Sequence, residues 1–377
     1  MTSRERVLTA LRHQEPDRVP LDLGGATTGI EVEAYDRLKT LLGVQSQTRT
    51  FVRDHVEVDE ALLVRFGVDT RYLRVGGPHG YRVQIDADNS YLDIWGTRWQ
   101  KPPSSLYWDM VAHPIPEPTL DALKAYRWPD PHDPGRTDGL RQRARTLLDT
   151  TEYAVVLDVT GFGVFEQGWA LRGFENFYMD LVAEPRFAEA LMQGVADYQI
   201  ALYDRVLAEV GPYVHVVMVA EDLGAQDSPL ISPDTYRRMI KPVQKRVWQF
   251  IKSKTDAHLF LHSCGSVRKF IPDLIELGVD ILNPVQVAAA DMDPAELKRE
   301  FGKDLTFWGG GCDTQKVLTF GTPDDVEREV CQRIAALAPG GGFVFNQIHN
   351  IQPQVPAANI LRMFEAVHQY GTYPIGA

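Results

Sequence analysis

At 377 residues, 44% hydrophobic and 24% charged, the chain has the composition of a well-cored globular protein, long enough for two ordinary domains or one large α/β barrel. No apolar run approaches the ~20 residues of a membrane-spanning helix, and a net charge of −12 argues against a nucleic-acid surface and against binding to anionic lipid. Three cysteines make no disulfide framework, and in a reducing compartment they read as free thiols or metal ligands.

The opening stretch, MTSRERVLTALRHQEPDRVP, lacks the apolar core and small-residue cleavage site of a secretory signal, which predicts a cytoplasmic protein. It reads as a helix capped by Ser3, with Glu5 in its first turn and Val7, Leu8 and Leu11 on one stripe. Eight short apolar runs follow, at 19–25, 70–76, 154–160, 215–221, 257–263, 280–286, 305–311 and 342–350. Most lack strict alternation, as strands buried on both faces do. Helical patterns separate the later runs. Ser232 and Pro233 open SPDTYRRMIKPVQKRVWQFIKSK, Gly278 closes SVRKFIPDLIELG, Gly302 closes DPAELKREFG, and Thr322 caps TPDDVEREVCQRIAALAPG. Eight strands with intervening helices predict an α/β fold, a single (β/α)8 barrel over 1–377 with an N-terminal helical segment. A doubly wound sheet would need a glycine-rich phosphate turn after an early strand, and none is present. Residues 76–153 read as an insertion near the barrel mouth, containing a β-hairpin that turns at Asp86–Asn89 within YRVQIDADNSYLDIWGTRWQ. Its Trp95, Trp99, Tyr107 and Trp108 exceed what a two-stranded ribbon can bury within itself, so the hairpin is expected to line the cleft.

In a barrel of this kind, chemistry gathers where strands end and the following loops begin. Those positions hold Asp22, Asp158, Glu221, Asp222, His262, Cys264, Asn283, Gln286, Cys312, Asp313 and His349. In HSCGSV the two residues His262 and Cys264 share one side of the chain. Imidazole and thiolate together suit zinc, which needs a third protein ligand: His349, or Cys312 as the alternative. The plainer reading is a buried free cysteine beside an ordinary barrel histidine. Glu221, Asp222 and Asp158 are candidate catalytic carboxylates, although Asp158 would serve equally to anchor a loop through backbone N–H groups. Asn283 and Gln286 are candidates to hydrogen-bond substrate or a neighbouring ligand, Asp313 to bind substrate, and Phe162 and Trp169, among the aromatics of TGFGVFEQGWALRGFENFY, to wall an apolar pocket. Cys331 lies inside an amphipathic helix and reads as packing.

With SRERVLTALRHQEPDRVP, EDLGAQDSPLISPDTYRRMIKP, HSCGSV, DLIELGVDILNPVQ, FWGGGCDTQ and FNQIHNIQP, the chain resembles the uroporphyrinogen decarboxylase superfamily, nearest its branch of methylcobamide:coenzyme M methyltransferases. That resemblance implies a (β/α)8 barrel and a His-x-Cys…Cys zinc site, here with His349 where the second cysteine would stand. It further implies methyl transfer between a small O-, N- or S-methyl substrate, or a thiol acceptor, and a corrinoid (cobalamin) protein docked at the mouth. The insertion is expected to meet that corrinoid protein or, in a homodimer, a second subunit. The family's true decarboxylases carry an arginine-rich loop after the first strand for propionate groups. Here that loop, LDLGGATTGIEVEAY (21–35), has no arginine, which leaves uroporphyrinogen decarboxylation as the alternative activity. A barrel that binds a corrinoid or small ligand without turnover is the non-catalytic reading.

Overall fold

In the computed structural model, which describes residues 1–103, 105 and 107–375 (for Val52 the backbone only), seven parallel strands run side by side in one curled sheet. In chain order they are Thr70–Leu73, Ala154–Leu157, Val216–Ala220, His258–His262, Ile281–Asn283, Thr306–Trp308 and Phe343–Val344, each paired with the next. The segment 19–24 is the eighth stave and closes the ring. Leu21 bridges Phe345 in parallel, Phe345 N–H donates to Pro20 O at 2.8 Å, and Asp22 N–H donates to Phe345 O at 2.9 Å. On the other side Asp69 N–H donates to Leu21 O, and Leu21 N–H donates to the Asp69 carboxylate, both at 2.8 Å. A side chain replaces a main-chain acceptor at this seam, so the run expected as a strand over 19–25 bridges only at Leu21. Asp69 is fully buried, and its charge is paired with Arg6 at 2.7 Å and Arg18 at 2.8 Å.

Alternate strand residues serve two cores, which is why the runs lack a polar face. Val156, Met218, Phe260, Ile281, Trp308 and Val344 pack inside the barrel, where Val7 and Leu11 of the helix Ser3–Leu11 join them and plug one end. Their neighbours Val155, Val217, Leu259, Leu282 and Phe307 belong to the outer core against the helices. Each such aliphatic burial is worth about 1.5–3 kcal/mol relative to exposure.

Local chemistry changes several expected boundaries. The first helix is capped by Thr2, not Ser3: Thr2 Oγ1 accepts from Glu5 N–H at 3.2 Å while Glu5 Oε2 accepts from Thr2 N–H at 2.8 Å. The segment opened by Ser232 is not one regular helix. A π-turn, Tyr236–Ile240, precedes the α-helix Lys241–Lys254, because Pro242 has no N–H to give an α-type bond. The expected two-stranded hairpin is a three-stranded antiparallel sheet, Ser90–Leu92, Arg98–Gln100 and Asp109–Ala112. Its first turn falls at Asp93–Thr97, where the Asp93 carboxylate accepts from Trp95 and Thr97 N–H and Gly96 takes φ +80°. Residues 82–88 are exposed and have no face to bury, so the arm expected before Asp86 does not form.

Candidate metal centre

His262 is the last residue of its strand, two beyond inward-facing Phe260, so the sheet itself aims the ring into the barrel. Asn283, its register partner on the next strand, fixes the ring's tautomer. Asn283 Nδ2 donates to Trp308 O at 2.8 Å, which turns Oδ1 toward His262 Nδ1–H at 2.7 Å and leaves His262 Nε2 bare. That Nε2 lies 3.4 Å from Cys264 Sγ. The loop carrying Cys264 is pinned on both sides: Cys264 N–H donates to Asp222 Oδ1 at 2.8 Å and Gly265 N–H to Gln286 Oε1 at 2.7 Å. Gly265, at φ +80°, is required there, since a Cβ would meet the Gly224 backbone at 2.4 Å.

His349 completes a trio whose ligand atoms all lie within 4.8 Å of one another. It arrives differently. It sits on a loop at φ +61°, a left-handed conformation costly for a non-glycine residue, with its ring centroid 5.2 Å from that of His262. Asn350 N–H donates to His349 Nδ1 at 2.7 Å, so the ring's own proton rests on Nε2. Burial lowers both imidazoles to a pKa of about 4, His349 further disfavoured by His262, and both are neutral at pH 7.

The carboxylates divide by what they hold. Glu221 Oε1 accepts from Phe165 N–H at 3.0 Å and Glu166 N–H at 2.8 Å, and its Oε2 accepts from Gln244 at 3.1 Å. It therefore caps the helix Val164–Arg172, and burial raises its pKa to about 7. Asp158 accepts from Ala26 N–H at 3.2 Å and pairs with Arg74 at 3.1 Å, holding the loop after the first stave. Asp222 stays beside Cys264. Sequence reading passes over Glu166, a carboxylate in a helix whose nine residues are all buried; its Oε2 accepts from Asp222 N–H at 3.4 Å. Burial and then the charges of Asp222 and Glu221 push its pKa well up, and burial followed by Asp222 and Glu166 does the same to the Cys264 thiol.

Other expected residues go elsewhere. Cys312 is fully buried and its thiol points at Glu329 Oε2, 3.4 Å away, so it does not join the trio. Asp313 is 5% exposed and its carboxylate accepts from Gln315 N–H at 2.8 Å, shaping its own loop. Phe162 packs on Trp99 at 5.9 Å, and Trp169 on Phe165 at 5.1 Å and Phe174 at 5.3 Å, away from the cavity over Cys264. That cavity, about 440 Å³, is lined by Cys264, His349, Gln286, Tyr107, Gln352 and Gln354, among others. The insertion thus reaches the mouth through Tyr107, while Thr97 Oγ1 donates to Ala170 O at 2.9 Å and ties its sheet to the barrel.

The donor set fits zinc. Edges of a tetrahedral site with nitrogen and sulfur ligands are roughly 3.5 Å, which the 3.4 Å His262–Cys264 separation already meets. His262 and Cys264 need no rearrangement, whereas His349 must close about 1 Å and either turn or move its proton from Nε2 to Nδ1, giving up the bond from Asn350 N–H. A thiol and three carboxylic groups, all pushed toward their neutral forms by burial, with Glu166 and Cys264 pushed further by neighbouring carboxylates, are what a dication would reverse.

Residues 113–370 match the family model described as uroporphyrinogen decarboxylase (URO-D). A methylated-thiol–coenzyme M methyltransferase of Methanosarcina mazei is 25% identical over 231 residues, 59% of this chain and 57% of that protein. A uroporphyrinogen decarboxylase of Legionella pneumophila is 24% identical over 206 residues, 54% of each chain, so the match spans little more than half the length of these relatives. A solved methyltransferase from Methanosarcina mazei superposes with a TM-score of 0.65 over 98% of this chain and 99% of that one, at 17% identity, and shares the fold. With more than half its length matched by the family model, the chain belongs to the uroporphyrinogen decarboxylase (URO-D) family.

Proposed function

We propose that this chain is a zinc-dependent methyltransferase that moves a methyl group between a small O-, N- or S-methyl substrate and a corrinoid (cobalamin) protein. The carrying observation is the convergence of His262, Cys264 and His349 within 4.8 Å at the open end of the barrel. The likeness to a methylated-thiol–coenzyme M methyltransferase supports the same reading. Zinc bound there supplies Lewis acidity, lowering the pKa of a thiol or polarising the heteroatom that carries the methyl group. The chain's residues do the positioning. Asn283 holds the His262 ring, Gln286 and Asp222 hold the Cys264 loop, and Glu221 and Asp158 fix the surrounding helix and loop. Asp222, bonded to Cys264 N–H, is the group placed to take a proton as the thiol gives one up. The corrinoid protein docks over the mouth against the insertion 76–153, whose Tyr107 faces the cavity. The setting is cytoplasmic.

Decarboxylation of a porphyrinogen lacks its cations. Loop 21–35 has no arginine, and Arg74, which reaches Gly24 O, is already paired with Asp158 at 3.1 Å. Incubation with uroporphyrinogen III is expected to give no coproporphyrinogen by chromatography; enzymatic accumulation would favour the decarboxylase. The methyltransferase reading is tested by elemental analysis and by a screen of methylated donors with reduced corrinoid protein, following methylcobalamin. Near one zinc per chain and a productive donor are expected; a pure protein that never takes up metal supports the non-catalytic binder instead.

A further inference from the structure

The cavity over Cys264 is bordered by amides and carries no formal charge. In a chain that is 24% charged, none of the described residues lining it is an aspartate, glutamate, lysine or arginine. Five are amides: Gln286, Gln315, Asn350, Gln352 and Gln354. The two metal ligands in its wall are neutral at pH 7 as well, since burial holds the His349 imidazole at about 4 and raises the Cys264 thiol. Charged neighbours stand outside the lining. Gln352 hydrogen-bonds Glu31, whose carboxyl burial raises to about 7; Arg37 donates to Pro353 O and Val355 O; and Lys316, beside Gln315 in the chain, is exposed.

The polar wall divides into groups already used and groups left free. Gln286 Oε1 accepts from Gly265 N–H at 2.7 Å, Asn350 Oδ1 accepts from Gly29 N–H at 2.7 Å, and Thr314 Oγ1 donates to Ile348 O at 2.6 Å. Gln315 and Tyr107 hydrogen-bond only through their backbones, and the Gln354 side chain has no partner among the described residues. All three are exposed. An amide offers a donor and an acceptor, and a phenol both at one atom, so this set suits hydroxyl, ether and carboxamide groups and has nothing to pair with an ion. Either charge is penalised there. An anion would enter without a counter-ion, against a net charge of −12. An ammonium would approach a zinc ion that one thiolate and two neutral imidazoles leave net positive.

We infer that the substrate is uncharged away from its reactive heteroatom: a small hydroxylated, ether or carboxamide compound held by Gln315, Gln354 and Tyr107. Thiols and methyl donors that end in a sulfonate or an ammonium are excluded. The heteroatom end rests on the metal-centre reading, but the neutral wall stands without it.

The wall is tested first without metal, by labelling Cys264 in the full chain with hydroxyethyl, sulfonatoethyl and trimethylammonioethyl methanethiosulfonate. Each rate is divided by that of free mercaptoethanol, and mass spectrometry separates Cys264 from Cys331, which is also half-buried. The sulfonate reagent is expected to react at least about tenfold slower than the hydroxyl one, and the ammonium reagent within about threefold of it at physiological salt. Gln354→Lys and Gln315→Lys, both at exposed positions, are each expected to raise the relative sulfonate rate about five- to tenfold. In the zinc-loaded chain, calorimetry with mercaptoethanol, mercaptoethanesulfonate and aminoethanethiol, corrected for each thiol's own pKa, is expected to show both charged thiols at least about tenfold weaker. If the labelling order and its change in the lysine variants hold in a chain that takes up no zinc, the inference stands and the metal reading falls. If zinc binds but the sulfonate thiol binds as tightly as the neutral one, the inference is overturned and the metal reading survives. A sulfonate reagent that matches the hydroxyl one, an ammonium reagent that clearly outruns it, a ranking unmoved by both lysine variants, or a Cys264 that none of the three labels would also overturn it.

Discussion

The two histidines of the candidate site meet the same thiol from structurally opposite situations. His262 is carried by a strand, its direction set by sheet register and its tautomer by an asparagine on the neighbouring strand. His349 is carried by a loop, in a left-handed backbone conformation, with its proton on the nitrogen a metal would want. A strand-borne ligand inherits its aim from the fold, whereas a loop-borne one is adjustable at the cost of local strain. The difference assigns His262 and Cys264 to a preformed half-site and His349 to a closing arm.

The sharpest way to break that distinction is to remove one arm at a time. His262→Ala is expected to lower zinc affinity more than about 100-fold, and His349→Ala only about tenfold, by chelator competition. Equal losses would make the two arms equivalent. Next in size is the support beneath the preformed half: Asn283→Leu is expected to cost about 10–100-fold in zinc affinity, and Asn283→Asp to restore most of it by accepting from His262 Nδ1–H. The pH dependence separates the protons involved. With both imidazoles at about 4, they shed no bound proton above pH ~5, while the thiol, raised by burial, must lose one. Zinc affinity is therefore expected to rise about tenfold per pH unit between pH 6 and 8, with proton release seen by calorimetry in buffers of different ionisation enthalpy. A flat profile would mean a thiol already ionised.

The smallest expected effect concerns the carboxylate beside the preformed half. Glu166 has its folded pKa raised, so its contribution to stability is full below the unfolded value and is lost as pH rises toward the folded one. Glu166→Gln is expected to stabilise the metal-free chain by roughly 1 kcal/mol, about 1 °C in Tm, at pH 8 and by less at pH 6. An equal gain at both pH values would assign the effect to packing.

The barrel and the polar residues gathered at its mouth were legible because a doubly buried strand writes itself as an unbroken apolar run, and a polar residue at its end marks the mouth. His262, Cys264 and His349 could be grouped on that ground. A loop anchor at Asp158 and a partner of a neighbouring ligand at Asn283 were among the readings the sequence left open, but Glu221 as a helix cap was not, because whether a polar side chain faces substrate or holds a neighbour depends on contacts of 2.7–3.2 Å. Glu166 left one signal, a lone acid in the apolar segment VFEQGWALR, that helical periodicity alone does not separate from a solvated face. The turn of the inserted sheet was misplaced because Asp86–Asn89 and Asp93–Gly96 both carry turn chemistry, and only burial of the following strand decides between them.

The seam that closes the barrel also sets a schedule for the chain's birth on the ribosome. Asn346 donates to Asp22 O and Phe345 pairs with Leu21, contacts separated by 324 residues in the first case. During synthesis at about 5–20 residues per second, the first stave therefore waits on the order of half a minute for its second neighbour. Until then Asp69, gripped by Arg6 and Arg18, is the clasp that keeps that edge occupied from one side, and the other edge stays open to any strand that comes near. A nascent chain without that ionic clasp would be left with both edges of its first strand bare.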